Sequence, residues 1–231
     1  MRLKTLAVAA AAIPLAFAAS ANAATLFTAD LTAEQSTTPS PGFDGQSGDA
    51  TLSLNQDEDG AFSLSMTLTF FGALDFTAVE DQFGEVEGEA AGGGEVVNGL
   101  HLHTALPGVG GPIVFSLADL LDGTPITGPT DADDQSLNYN DDGSVTIESE
   151  WDLNEGVGDF TLASFVPELL GAADEAVVAL YFNLHTTTAP GGLIRGQVVG
   201  ANAAVPLPGA VALFVPAILG GAALRRRRRA A

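Results

Sequence analysis

Residues 61–70 alternate between apolar and hydroxyl side chains, with Phe62, Leu64, Met66, Leu68 and Phe70 set against Ser63, Ser65, Thr67 and Thr69. A period of two places each set on one face of a strand, whereas a helix would scatter both around its axis. The chain is thereby committed to a sheet with one apolar face. Thr51, Leu52, Ser53, Leu54 and Asn55 alternate in the same way, and the intervening Gln56-Asp57-Glu58-Asp59-Gly60 closes on the Asp-Gly pair that favours a hairpin. Asp142-Gly143 repeats the signal ahead of Val145, Ile147 and Trp151, which oppose Thr146, Glu148 and Glu150. Further strands are expected over 25–31, 99–104, 113–116, 176–186 and 193–200. Only 117–121 and 162–170 read as helical, and 84–94 reads as an acidic, glycine-rich loop. Short strands divided by turn signals imply an all-β sandwich or barrel.

The charges are sorted along the chain. Residues 1–23 and 205–231 contain no acid and hold seven of the eight Lys and Arg residues, so the middle segment carries 29 acids against Arg195 alone, a formal charge of −28. Such a segment repels nucleic acid and anionic lipid and attracts cations. With no cysteine in the chain, a disulfide scaffold, thiolate metal sites and thiol nucleophiles are all excluded.

The two ends read as addresses. In residues 1–23, Arg2 and Lys4 precede an apolar stretch and an Ala21-Asn22-Ala23 cleavage pattern, as a secretory signal peptide does. Residues 205–224 carry no charge and lead into Arg225, Arg226, Arg227, Arg228 and Arg229, which reads as one C-terminal transmembrane helix with its arginines cytoplasmic. Val205-Pro206-Leu207-Pro208, the apolar run and the arginine cluster together resemble the PEP-CTERM class of sorting signals, in its VPLPA variant. That resemblance implies an exosortase-type membrane protease as partner, inner-membrane residence before processing, and a final place at the cell surface or outside the cell through a transient anchor. The expected organisation is a signal peptide over 1–23, a β domain over 24–204 and a sorting tail over 205–231.

All three histidines lie in two segments that echo each other, Leu100-His101-Leu102-His103-Thr104 and Phe182-Asn183-Leu184-His185-Thr186. Period two puts His101 and His103 on one face of their strand, and Tyr181, Asn183 and His185 on one face of theirs. If the strands are neighbours, the imidazoles converge. Two readings follow: a Zn or Cu site, since neutral imidazoles are good ligands for both, or a polar cluster in which the rings bond to Asn183, threonines or backbone carbonyls. Leu193-Ile194-Arg195-Gly196-Gln197-Val198 follows the Pro190-Gly191-Gly192 turn, with Ile194 and Val198 expected inward and Arg195 and Gln197 outward. Arg195 is expected to pair with a carboxylate and fix this last hairpin.

The pair of a His-x-His and an Asn-x-His-Thr followed by Pro-Gly-Gly-x-Ile-Arg-Gly-Gln resembles the CHRD domain, aligned from Ala24 to Val199. The resemblance implies an immunoglobulin-like or superoxide-dismutase-like antiparallel sandwich and does not imply an enzyme.

Calcium is the other candidate cation. Asn55-x-Asp57-x-Asp59-Gly60 and Asn138-x-Asn140-x-Asp142-Gly143 follow the oxygen spacing that opens a calcium loop, although Met66 and Ser149 stand where a bidentate acid closes one. Asp57, Asp59, Asn140 and Asp142 are the candidate ligands, and solvated hairpin turns are the alternative. No serine elbow, zinc-protease helix or phosphate loop is present, so catalysis is not expected. Two functions remain: a structural or interaction protein meeting envelope or matrix components, and a metal-binding module built on the histidines.

Overall fold

The computed structural model describes residues 24–38, 45–120 and 134–201. Eleven strands run through them: β1 (Thr25–Leu31), β2 (Ser47–Gln56), β3 (Phe62–Phe71), β4 (Leu74–Asp75), β5 (Glu85–Glu87), β6 (Glu95–His103), β7 (Ile113–Asp119), β8 (Ser136–Tyr139), β9 (Val145–Asp152), β10 (Val177–Thr186) and β11 (Ile194–Ala201). One α-helix, α1 (Leu162–Gly171), interrupts them. The long alternating run became β3, which pairs along its whole length with β2 through the expected hairpin. At the hairpin turn Gly60 takes a φ of +90°, and Gly143 at the second Asp-Gly a φ of +83°, both in the region that favours glycine.

Hydrogen bonding links all strands into one sheet in the order β4-β6-β10-β11-β1-β2-β3-β9-β8-β5, with β7 on the free edge of β6 beside β4. The sheet is curled into a half-barrel. Its inner face carries Phe27, Leu52, Leu64, Leu68, Leu102, Ile147, Trp151, Phe182 and Ile194, all buried in a single apolar cluster. Trp151 stacks on Phe115 at 5.2 Å and meets Phe165 of α1 at 5.6 Å, so the helix covers part of that face. Burying a large aliphatic or aromatic side chain contributes about 1.5–3 kcal/mol, which makes this cluster the main source of stability in a chain without disulfides.

This arrangement corrects the expected two-sheet antiparallel immunoglobulin-like or superoxide-dismutase-like sandwich. β1 pairs β11 on one edge and β2 on the other, which joins what would have been separate sheets. The short pairs β4 with β6 and β5 with β8 are parallel. The helix expected over 117–121 is also corrected, since Leu117, Ala118 and Asp119 complete β7.

No helix among the described residues is long and apolar enough to cross a membrane. A span needs about 20 apolar helical residues, and α1 has 10. Among the described residues, then, nothing supports the expected C-terminal transmembrane helix, nor the transient membrane anchor, the inner-membrane residence and the exosortase-type partner inferred from the tail, and these expectations are not carried further. The motif on which they rested, Val205, Pro206, Leu207, Pro208, Arg225, Arg226 and Arg227, lies outside the described residues, as does the signal peptide expected over 1–23.

Candidate metal centre

The outer face of the sheet near β6 carries a second, polar layer. Strand register aligns Asn183 of β10 with His101 of β6 on one side and Arg195 of β11 on the other, and Tyr181 with His103 and Gln197. Alternation places Leu100, Leu102, Phe182 and Leu184 in the apolar core, so the odd-numbered neighbours must face away from it. They are nevertheless buried: His101 is 0% exposed, His185 5%, His103 7% and Arg195 2%. Two connecting loops, 104–112 and 187–193, are pinned over them.

The pinning bonds also fix the ring tautomers. His103 Nδ1 stands 2.9 Å from the carbonyl of Gly111, and His185 Nδ1 2.9 Å from the carbonyl of Pro190. A carbonyl only accepts, so each Nδ1 carries the proton and each Nε2 presents a lone pair. Neither Nε2 has a hydrogen-bond partner among the described residues, and both nitrogens of His101 are in the same position. Ligating atoms of the three rings lie within 4.8 Å of one another. The rings crowd together, with centroids 5.0 Å apart for His101 and His185 and 5.7 Å for His101 and His103. Burial pushes His103 down to about 4, against the opposing pull of its bond to Gly111 and with help from the neighbouring imidazoles and Arg195. Burial, then the proximity of His101, brings His185 to about 4 as well. At neutral pH these two rings are uncharged and able to donate electron pairs to a cation. The buried His101, His103 and His185 triad can thus coordinate a metal ion.

The surrounding residues hold this group in place. Tyr181 stacks on His103 at 4.9 Å, accepts a hydrogen bond from the Gly111 amide, and carries the Arg195 guanidinium 3.4 Å above its ring centre. Arg195 was expected to point outward and meet a carboxylate. It does lie on the outer face, but buried, and among the described residues it meets no carboxylate: it donates to the carbonyls of Val109 (2.7 Å) and Leu106 (3.1 Å) and to Gln197 Oε1 (3.1 Å). The physical reason is the 104–112 loop, which folds over β11 and turns a solvent face into an interior one. Asn183 lies against Gly192, where φ is +112° and a Cβ would stand 2.1 Å from Asn183 Oδ1, so this turn has room for glycine alone. Two residues of the polar layer, Ser116 and Asp119 of β7, were missed in the sequence. Ser116 faces His101 across the strand pair, and Asp119 Oδ1 comes within 3.7 Å of His101 Nε2.

The family model described as CHRD domain matches residues 27–198. The chain belongs to the CHRD domain family. CHRD domains are structural and interaction modules rather than catalytic ones, so the family places this chain among non-enzymes. No curated protein and no solved structure matches the chain. The family match supports the CHRD resemblance, and nothing in the comparisons supports the sorting-signal resemblance.

Two of the candidate calcium ligands, Asp57 and Asp142, accept local hydrogen bonds. Asp57 Oδ1 accepts from the Ala61 amide. Asp142 Oδ1 accepts from both the Ser144 hydroxyl and its amide, which holds that exposed carboxyl below the usual range. Asn140 Nδ2 donates to Ser144 and Thr146. Asp59 is exposed in its turn. The only group of metal-ligating side chains gathered closely enough to share an ion, among the described residues, is the histidine triad.

Proposed function

We propose that this CHRD domain is a non-catalytic structural or interaction module whose His101, His103 and His185 hold one zinc or copper ion. The observation that carries this reading is the set of buried, unpartnered imidazole nitrogens converging from β6 and β10. Leaving a buried polar atom without a partner costs roughly 1–3 kcal/mol, and here that cost recurs at each ring. A cation accepting the three lone pairs removes it. Ligands on one zinc ion at about 2.0–2.1 Å stand roughly 3.3 Å apart, so the rings need draw in by roughly an ångström. The alternative, a hydrogen-bonded cluster that only sets strand register, accounts for the Nδ1 atoms of His103 and His185 but leaves their Nε2 atoms and the His101 Nδ1 without a partner among the described residues.

With the rings sealed beneath both loops, the ion would staple β6 to β10. Titration of the chelator-stripped full-length chain with zinc or copper should saturate at one ion per chain. At a free concentration a hundredfold above Kd the gain is about 2.7 kcal/mol, which corresponds to a rise in Tm of roughly 5–10 °C for a domain of this size. Calcium should give no such saturable rise. Melting curves that superimpose with and without zinc and copper would overturn the proposal.

A further inference from the structure

We infer that Asp119 is the positioning residue of this centre: it accepts the Nε2–H of His101 and thereby turns the Nδ1 of that ring to the metal. The site is then mixed, with His101 bound through Nδ1 and His103 and His185 through Nε2. This inference rests on the metal-site reading, and it makes that reading more specific.

The argument starts from strand register. Gly99 pairs with Asp119 and His101 with Ser116, so three residues of β6 are matched by four of β7. The irregularity between Leu100 and His101 leaves Leu117 as the extra residue and brings both Ser116 and Asp119 to the histidine face. Gly99, which also pairs with His185 on the opposite edge, contributes no side chain between Asp119 and the rings. Asp119 is 4% exposed, and its backbone is clamped on both sides by one amide side chain: Gln82 Oε1 accepts from the Asp119 N–H at 2.8 Å, and Gln82 Nε2 donates to the Asp119 carbonyl at 3.2 Å. A buried carboxylate on a clamped backbone thus stands 3.7 Å from one nitrogen of a ring whose two nitrogens are otherwise unpartnered among the described residues.

His103 and His185 already donate Nδ1–H to carbonyls, the outer-shell arrangement that fixes a ligating histidine and raises its basicity. His101 has no carbonyl in that role. Asp119 supplies the equivalent acceptor, but on the other nitrogen, which reverses the coordinating atom. A small rotation of the His101 ring closes the gap to a hydrogen bond when an ion draws Nδ1 inward.

Three histidines in the whole chain make the test direct. Long-range proton–nitrogen correlation spectra of the full-length protein with labelled histidine are recorded after chelator treatment and after adding zinc. Expected in the stripped chain are one ring protonated at Nε2, assigned to His101, and two at Nδ1. Zinc should then give one Nδ1-coordinated and two Nε2-coordinated rings. Asp119→Asn, which removes the charge, should weaken zinc binding by about 10–100-fold and let His101 sample both tautomers, with His103 and His185 unchanged. Three Nε2-coordinated rings, or a stripped His101 protonated at Nδ1, would overturn the role of Asp119. A chain that takes up no zinc yet shows His101 protonated at Nε2 overturns the metal reading and keeps the Asp119 contact. Should Asp119→Asn not fold, the wild-type spectra alone decide.

Discussion

His103→Ala should abolish stoichiometric zinc or copper binding by the full-length chain while leaving most of the fold intact. The substitution removes one of three nitrogens, so the loss should exceed the roughly 10–100-fold typical of outer-shell changes. It also removes the Nδ1–H that the Gly111 carbonyl accepts and the ring on which Tyr181 stacks. The apolar half-barrel does not depend on either contact, and a surface-ward ring replaced by a methyl group leaves Leu100 and Leu102 in the core. The measurement is zinc content and affinity together with the melting curve of the metal-free variant. Zinc binding should vanish, and the metal-free melt should fall by only the cost of a lost hydrogen bond and stack, about 2–3 kcal/mol. Wild-type zinc affinity in the variant would remove His103 from the site.

Arg195→Ala should be the most damaging single change in the polar layer, costing about 3–5 kcal/mol in denaturant unfolding. Its guanidinium ties the carbonyls of Leu106 and Val109 in the 104–112 loop to β11, beside the bond from Gln197 Nε2 to the Ala105 carbonyl, and it covers the Tyr181 ring. Removing it leaves buried acceptors unpaired and forfeits a desolvated cation–π contact worth about 2 kcal/mol. Arg195→Lys should recover only part of the loss, since a point charge cannot fork to two carbonyls and Gln197 at once. Because Gly111 in the same loop orients His103, zinc affinity should also fall in Arg195→Ala, in the same direction as stability. A variant as stable as the parent would contradict the role assigned to the arginine.

Much of the site was legible because alternation is a strong statement about faces. The odd-numbered positions of β6 and β10 had to share the side away from Leu100, Leu102, Phe182 and Leu184, and the condition for the histidines to converge, that the two strands be neighbours, is met by the register of Asn183 against His101. Alternation says which side a residue faces, however, and not what covers that side. Arg195 and Gln197 therefore read as solvent-facing, although loop 104–112 buries both. Asp119 was hidden for a different reason: the bulges in β7 break the period of two, six consecutive residues are buried, and Leu117-Ala118-Asp119 then looks like part of a helix. Strand order was also out of reach, since local patterns predict strands equally well for one curled sheet and for two packed ones. The double pairing of β1 is a long-range fact, with partners at opposite ends of the domain.

The central claim is that three imidazoles of this CHRD domain share one ion. X-ray absorption at the metal edge of the zinc-loaded full-length chain counts them directly. The account predicts a first shell containing three imidazole nitrogens at about 2.0–2.1 Å. A shell of oxygens alone, or zinc that washes away with the solvent, would contradict it and leave the histidines as a hydrogen-bonded lining between β6 and β10.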